Sequence, residues 1–164
     1  MPAPSFTKHQ LTVKVLGSHG QCRLQVSGSS MLPTLWPGDT VQIERRPLAQ
    51  LRIGDVVLYE RDGRLFLHRL VDLQTNTSGA TLITRGDAVP QDDPPFPTDC
   101  LLGVLAGVRR GNEYVPIPKD MSAASRLISV LLSRSSWLVR LLLRFWPREN
   151  SAMDFDALPE VPAA

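Results

Sequence analysis

Between Asp39 and Tyr114 apolar and polar positions alternate in short runs: DTVQIER, GDVVLYER, GRLFLHRLVDL, ATLITRG and LLGVLAGVRR. WPGD, RDG, NTSG and a proline-rich stretch separate them. Alternation with a period of two sends successive side chains to opposite faces, the pattern of half-buried strands bounded by turns. The earlier segment CRLQV has the same pattern and runs into SGSS. Asp-Gly in RDGR, between VVLYE and LFLHRL, suits a tight primed turn and predicts a hairpin. Strands of this length and spacing imply a mainly β, antiparallel domain, and no internal repeat is evident.

The ends of the chain read differently. Thr7 to Leu16 predicts a short helix ended by Gly17, Ser18 and Gly20. Past Pro118 the period changes to that of a helix in MSAASRLISVLLSRSSWLVRLLLRFW. At about 100° per residue, Arg126, Arg134, Arg140, Arg144 and Arg148 gather on one arc of roughly 120°, opposite Leu127, Leu131, Leu138, Leu142 and Phe145. A basic amphipathic C-terminal helix is therefore expected, either packed on the β domain or lying in a membrane interface with Trp137 and Trp146 as anchors. A transmembrane helix is disfavoured, because Arg134 and Arg140 would each cost about 2.5–3.5 kcal/mol in the hydrocarbon. The expected organisation is a lead-in helix over 1–20, a β-rich domain over 21–118, a basic helical segment over 119–148 and an acidic, disordered tail over 149–164.

Composition narrows the class. A chain of 164 residues can form one domain with a real core. Its 18 Lys and Arg against 16 Asp and Glu leave a formal charge of only +2, which gives no reason to expect nucleic acid as a partner. Cys22 and Cys100 are too few for a disulfide framework and lack metal-ligand spacing with His9, His19 or His68, so both read as buried thiols. MPAPSFTKHQ lacks the basic segment and apolar core of a secretory signal. The expected location is cytoplasmic, with the helix over 121–148 as a peripheral contact at the inner face of the membrane.

Candidate chemistry centres on VSGSSMLPTLWPGD. A serine hydroxyl is a poor nucleophile at neutral pH and needs a base within hydrogen-bond reach, and the oxyanion it creates needs donors. Of the three histidines only His68 falls in a well-defined strand, on the same face as Phe66 and Leu70. A third group must then orient the imidazole, and the acidic loop GDAVPQDDP offers Asp87, Asp92 and Asp93.

The ordered set VSGSSMLPTLWPGD, GDVVLYE, LHRLV, ITRGDAVPQDDP and LLGVLAGV resembles the signal peptidase and LexA-like superfamily of serine proteases, from about Cys22 to Val108. Ser30, directly before Met31-x-Pro33, falls where that superfamily carries its nucleophile. The position of its basic residue, before an arginine, is held here by His68 before Arg69, which is similar to the archaeal and endoplasmic-reticulum type of signal peptidase. Gly86 and Asp87 followed by Asp92 and Asp93 reproduce that type's loop spacing, and the resemblance implies Asp93 first, then Asp92 and Asp87, as the orienting carboxylate.

The resemblance implies the coiled, mainly antiparallel sheet of that superfamily and a serine endopeptidase that cleaves a precursor or leader peptide. It would work with no metal or organic cofactor. Gly28 would permit the sharp turn before Ser30, and the Ser30 N–H would serve the oxyanion with Ser29 assisting. An N-terminal transmembrane anchor, usual in signal peptidases of this type, is not apparent before Ser30. Two alternatives stand beside this reading. VSGSSM also matches the LexA-like self-cleaving regulators, although His68 replaces their lysine and the region before Cys22 is short for a helix-turn-helix domain. A noncatalytic binding protein on the same fold is the other.

Overall fold

The computed structural model describes residues 4–76 and 79–118; the helix expected over 121–148 and the tail over 149–164 lie outside them. Chain order is α1 (Pro4–His19), β1 (Gln21–Gln25), β2 (Thr40–Glu44), β3 (Val56–Arg61), β4 (Arg64–Asn76), β5 (Gly79–Arg85), β6 (Phe96–Pro97), β7 (Leu101–Arg110) and β8 (Glu113–Val115). Short 3-10 turns sit at Leu48–Gln50 and Thr98–Cys100. α1 extends beyond Thr7–Leu16 at both ends. A glycine inside a helix costs only about 1 kcal/mol, so Gly17 does not stop it. Gly20 does, with a φ of +70° and its N–H donating to the Leu16 carbonyl at 3.0 Å.

The strands form one antiparallel sheet ordered β1-β2-β7-β3-β4-β5-β6, with β8 added beside β7. Register shifts between Gln42 and Ile43, between Leu58 and Tyr59, and between Leu70 and Asp72 interrupt three of the ladders. Such bulges increase local twist, and the sheet curls into an antiparallel half-barrel. The β3–β4 turn holds Asp62 and Gly63 at φ +52° and +69°, the left-handed pair of a type I′ hairpin.

β3 lies in the middle of the sheet and is buried on both faces, which is why VVLY is an unbroken apolar run. Val56 and Leu58 join one cluster with Leu16, Met31, Leu35, Val41, Ile43, Leu105 and Val108. Val57 and Tyr59 join a second with Leu51, Leu70, Leu82, Phe96 and Val104. Burying each of these side chains contributes about 1.5–3 kcal/mol. Cys22 packs at the edge of the first cluster and Cys100 at the edge of the second; both are free and half-buried, short of the full burial expected. Burial raises the Cys22 thiol to about 11, which keeps it protonated and inert at neutral pH. Among the described residues no helix is long and apolar enough to cross a membrane.

Candidate active site

The segment between β1 and β2 is a loop tied at its base. The Val26 N–H donates to the Asp39 carbonyl at 2.9 Å, and the Gly38 N–H to the Val26 carbonyl at 2.8 Å. Met31, Leu32 and Leu35 turn inward and are 2%, 0% and 0% exposed, so the loop is anchored by its own side chains. Asp39 secures the exit by accepting from the Trp36 N–H and from two Arg110 nitrogens, each at 2.8 Å. The Leu32–Pro33 peptide is cis. Ser30 sits half-buried on this frame. Gly28 has no left-handed φ and open space around it, so the turn does not demand glycine there, contrary to expectation. Ser29 contributes its carbonyl to the Leu32 N–H at 3.2 Å.

The demanding glycine lies across from the loop. A Cβ on Gly86 would stand 2.7 Å from the Ser30 carbonyl oxygen and 3.1 Å from the Ser30 Cβ. This close approach lets the Ala88 N–H donate to the Ser30 carbonyl at 2.7 Å, joining the serine loop to the acidic loop.

His68 comes from β4, paired with Val57 of β3, and faces the second core cluster. The Tyr59 and Phe66 rings meet its imidazole edge-on, at centroid distances of 6.3 and 6.1 Å. Its Nε2 lies 2.9 Å from the Ser30 Oγ, and its Nδ1 lies 2.6 Å from the Asp93 Oδ2. With Nδ1–H donating to the carboxylate, Nε2 is left as the acceptor for the Ser30 hydroxyl. Thr84 also donates to the Asp93 Oδ2, at 2.7 Å. Burial raises the Asp93 carboxyl, but hydrogen bonds from His68 and Thr84, with the His68 charge and the Tyr59 hydroxyl behind them, outweigh it and hold the group below its ordinary range.

The other two aspartates stand apart from His68. Asp92 is at the surface, 3.2 Å from Arg85. Asp87 turns to the opposite side of β4 and receives Arg69 in a fork, Nε to Oδ1 at 2.9 Å and Nη2 to Oδ2 at 2.7 Å, with Thr34 donating to the same Oδ2. Neither can orient the imidazole; Asp87 holds the loop instead. Arg69 also donates through Nη1 to the carbonyls of Gly54 at 2.8 Å and Pro118 at 3.1 Å. Sequence reasoning missed Thr34, Tyr59, Thr84 and the structural part of Arg69. For Arg69 the alternation of β4 was a usable signal, since it must face away from His68. Among the described residues no cluster of His, Cys, Asp and Glu is arranged to hold a metal ion.

The arrangement can relay a proton from a hydroxyl to an imidazole backed by a permanent carboxylate, the elements of an activated serine nucleophile. Compared with known proteins, the chain matches no family model and no curated relative.

Two outcomes follow from this geometry. Arg69→Ala leaves Asp87 buried without its partner and is expected to lower stability by about 3–5 kcal/mol in urea unfolding. Asp93 is depressed from its ordinary 3.8, so its contribution is complete above that pH and is lost as pH falls through the folded value. The stability deficit of Asp93→Asn against wild type should accordingly stay constant at neutral pH and shrink in strong acid, as read by unfolding at a series of pH values.

Proposed function

We propose that the protein is a serine endopeptidase of the signal peptidase-like type, acting on a precursor or leader peptide. The observation that carries this reading is the unbroken line from Ser30 Oγ through His68 to Asp93, at 2.9 and 2.6 Å. As the Ser30 Oγ attacks a peptide carbonyl, its proton passes to His68 Nε2. The C–N bond then breaks, and the leaving amine takes that proton from Nε2. Water, deprotonated by the same nitrogen, hydrolyses the ester and restores Ser30. Asp93 stabilises the imidazolium formed in both steps. The Ser30 N–H, with Ser29 beside it, serves the oxyanion.

The curled antiparallel sheet and the sequence pattern from Cys22 to Val108 support the superfamily assignment. Incubating the full chain with a library of unstructured peptides, read by mass spectrometry, tests the activity. Endoproteolytic products are expected from wild type and not from Ser30→Ala. Products that persist in Ser30→Ala preparations would refute the assignment. VSGSSM keeps self-processing as a second reading. Ser30-dependent shortening of the chain's own mass would favour it.

The membrane part of the proposal rests on the arginine arc of residues 121–148. The full chain should sediment with anionic phosphatidylglycerol vesicles and lose most of that binding when Arg134, Arg140 and Arg144 become glutamine. Equal sedimentation of both forms would remove the peripheral contact from the account.

A further inference from the structure

Asp93 comes from an irregular loop, where a carboxylate has no strand to set its direction. Two bonds from a single residue of β5 supply that direction. The Asp93 N–H donates to the Thr84 carbonyl, and the Thr84 hydroxyl donates to Asp93 Oδ2, both at 2.7 Å. Thr84 is fully buried, and its backbone is held in the sheet opposite Leu70, two residues along β4 from His68. The same Oδ2 accepts from His68 Nδ1, so Thr84 acts on the oxygen that orients the imidazole. Tyr59 closes the other side. Its ring is stacked against Phe66 and Phe96, at 5.3 and 4.1 Å. Its hydroxyl, raised to about 12 chiefly by burial, faces Thr84 and Asp93 without a well-formed hydrogen bond among the described residues.

We propose that Thr84 is a positioning residue: its carbonyl and hydroxyl clamp Asp93 at both ends and thereby set the direction of the His68 imidazole toward Ser30. The catalytic consequence rests on the peptidase reading; the geometric one does not. Threonine is needed in place of an equally shaped valine because only the hydroxyl can donate to the carboxylate. The Thr84 carbonyl alone would leave the Asp93 side chain free to rotate away from Nδ1. His68, Asp93, the Tyr59 hydroxyl and Arg61, whose charge reaches that hydroxyl, are the ionisable groups around this junction among the described residues.

The test compares Thr84→Val, which keeps the shape, with Thr84→Ser, which keeps the hydroxyl. Two readouts are used on the full chain: the rate of Ser30 phosphonylation by a fluorophosphonate, in which the P–F bond breaks and fluoride leaves, and the low-field proton NMR signal of His68 Nδ1–H, assigned by its absence in His68→Gln. Expected is a loss of about tenfold or more in phosphonylation rate for Thr84→Val, with that proton signal lost to solvent exchange. Thr84→Ser should restore the signal and bring the rate back to within about threefold of wild type. A Thr84→Val protein that is phosphonylated at the wild-type rate and keeps the signal would overturn the proposal. If wild type itself is not phosphonylated, the peptidase reading fails and the proton signal alone decides. Persistence of the signal in Thr84→Val overturns the clamp, and its loss in Thr84→Val with return in Thr84→Ser upholds it.

Discussion

The buried pair of Arg69 and Asp87 is the interaction on which the site depends. It ties β4 to the acidic loop, and through Thr34 it reaches the serine loop as well. A buried ion pair seldom adds much net stability over an apolar substitute, but losing one partner strands a charge. Its value here is geometric. Because β4 alternates, holding Arg69 on one face fixes His68 on the other, one residue away in the chain. Two irregular loops and one strand are thereby brought to a common point, and Ser30, His68 and Asp93 meet there.

The two faces of the sheet divide the labour. On the side of α1, apolar packing of Leu16, Met31 and Leu35 seats the serine loop from beneath. On the other side Tyr59, Phe66 and Phe96 wall the imidazole, while Thr84 grips the carboxylate. Gly86 is where the two loops touch, and only a missing side chain allows Ala88 to bond the Ser30 carbonyl. Burial would by itself drive Asp93 toward neutrality. The donors converging on it reverse that tendency, so a carboxylate stands behind the histidine at neutral pH.

The strands were readable because alternation and turn chemistry are local: Asp62-Gly63 specified its hairpin, and Phe66, His68 and Leu70 share the face that the period of two assigns them. The order of motifs likewise brought Ser30, His68 and the acidic loop into one picture. What stayed hidden is non-local. Nothing in ITRGD announces that the threonine hydroxyl will meet Asp93, nine residues later and across a loop. The resemblance ranked Asp93 first, but GDAVPQDDP by itself could not separate it from Asp87, whose partner lies on another strand. Gly28 was read as the flexible point because it precedes Ser30, whereas the glycine that close approach requires is Gly86, far along the chain.

The central claim is that the hydroxyl of Ser30 is activated by His68. Site-resolved mass spectrometry of the folded protein after exposure to a fluorophosphonate measures this directly. The account predicts a single adduct, on Ser30, that His68→Ala abolishes. An adduct of equal yield in His68→Ala, or none on folded wild type, would contradict it.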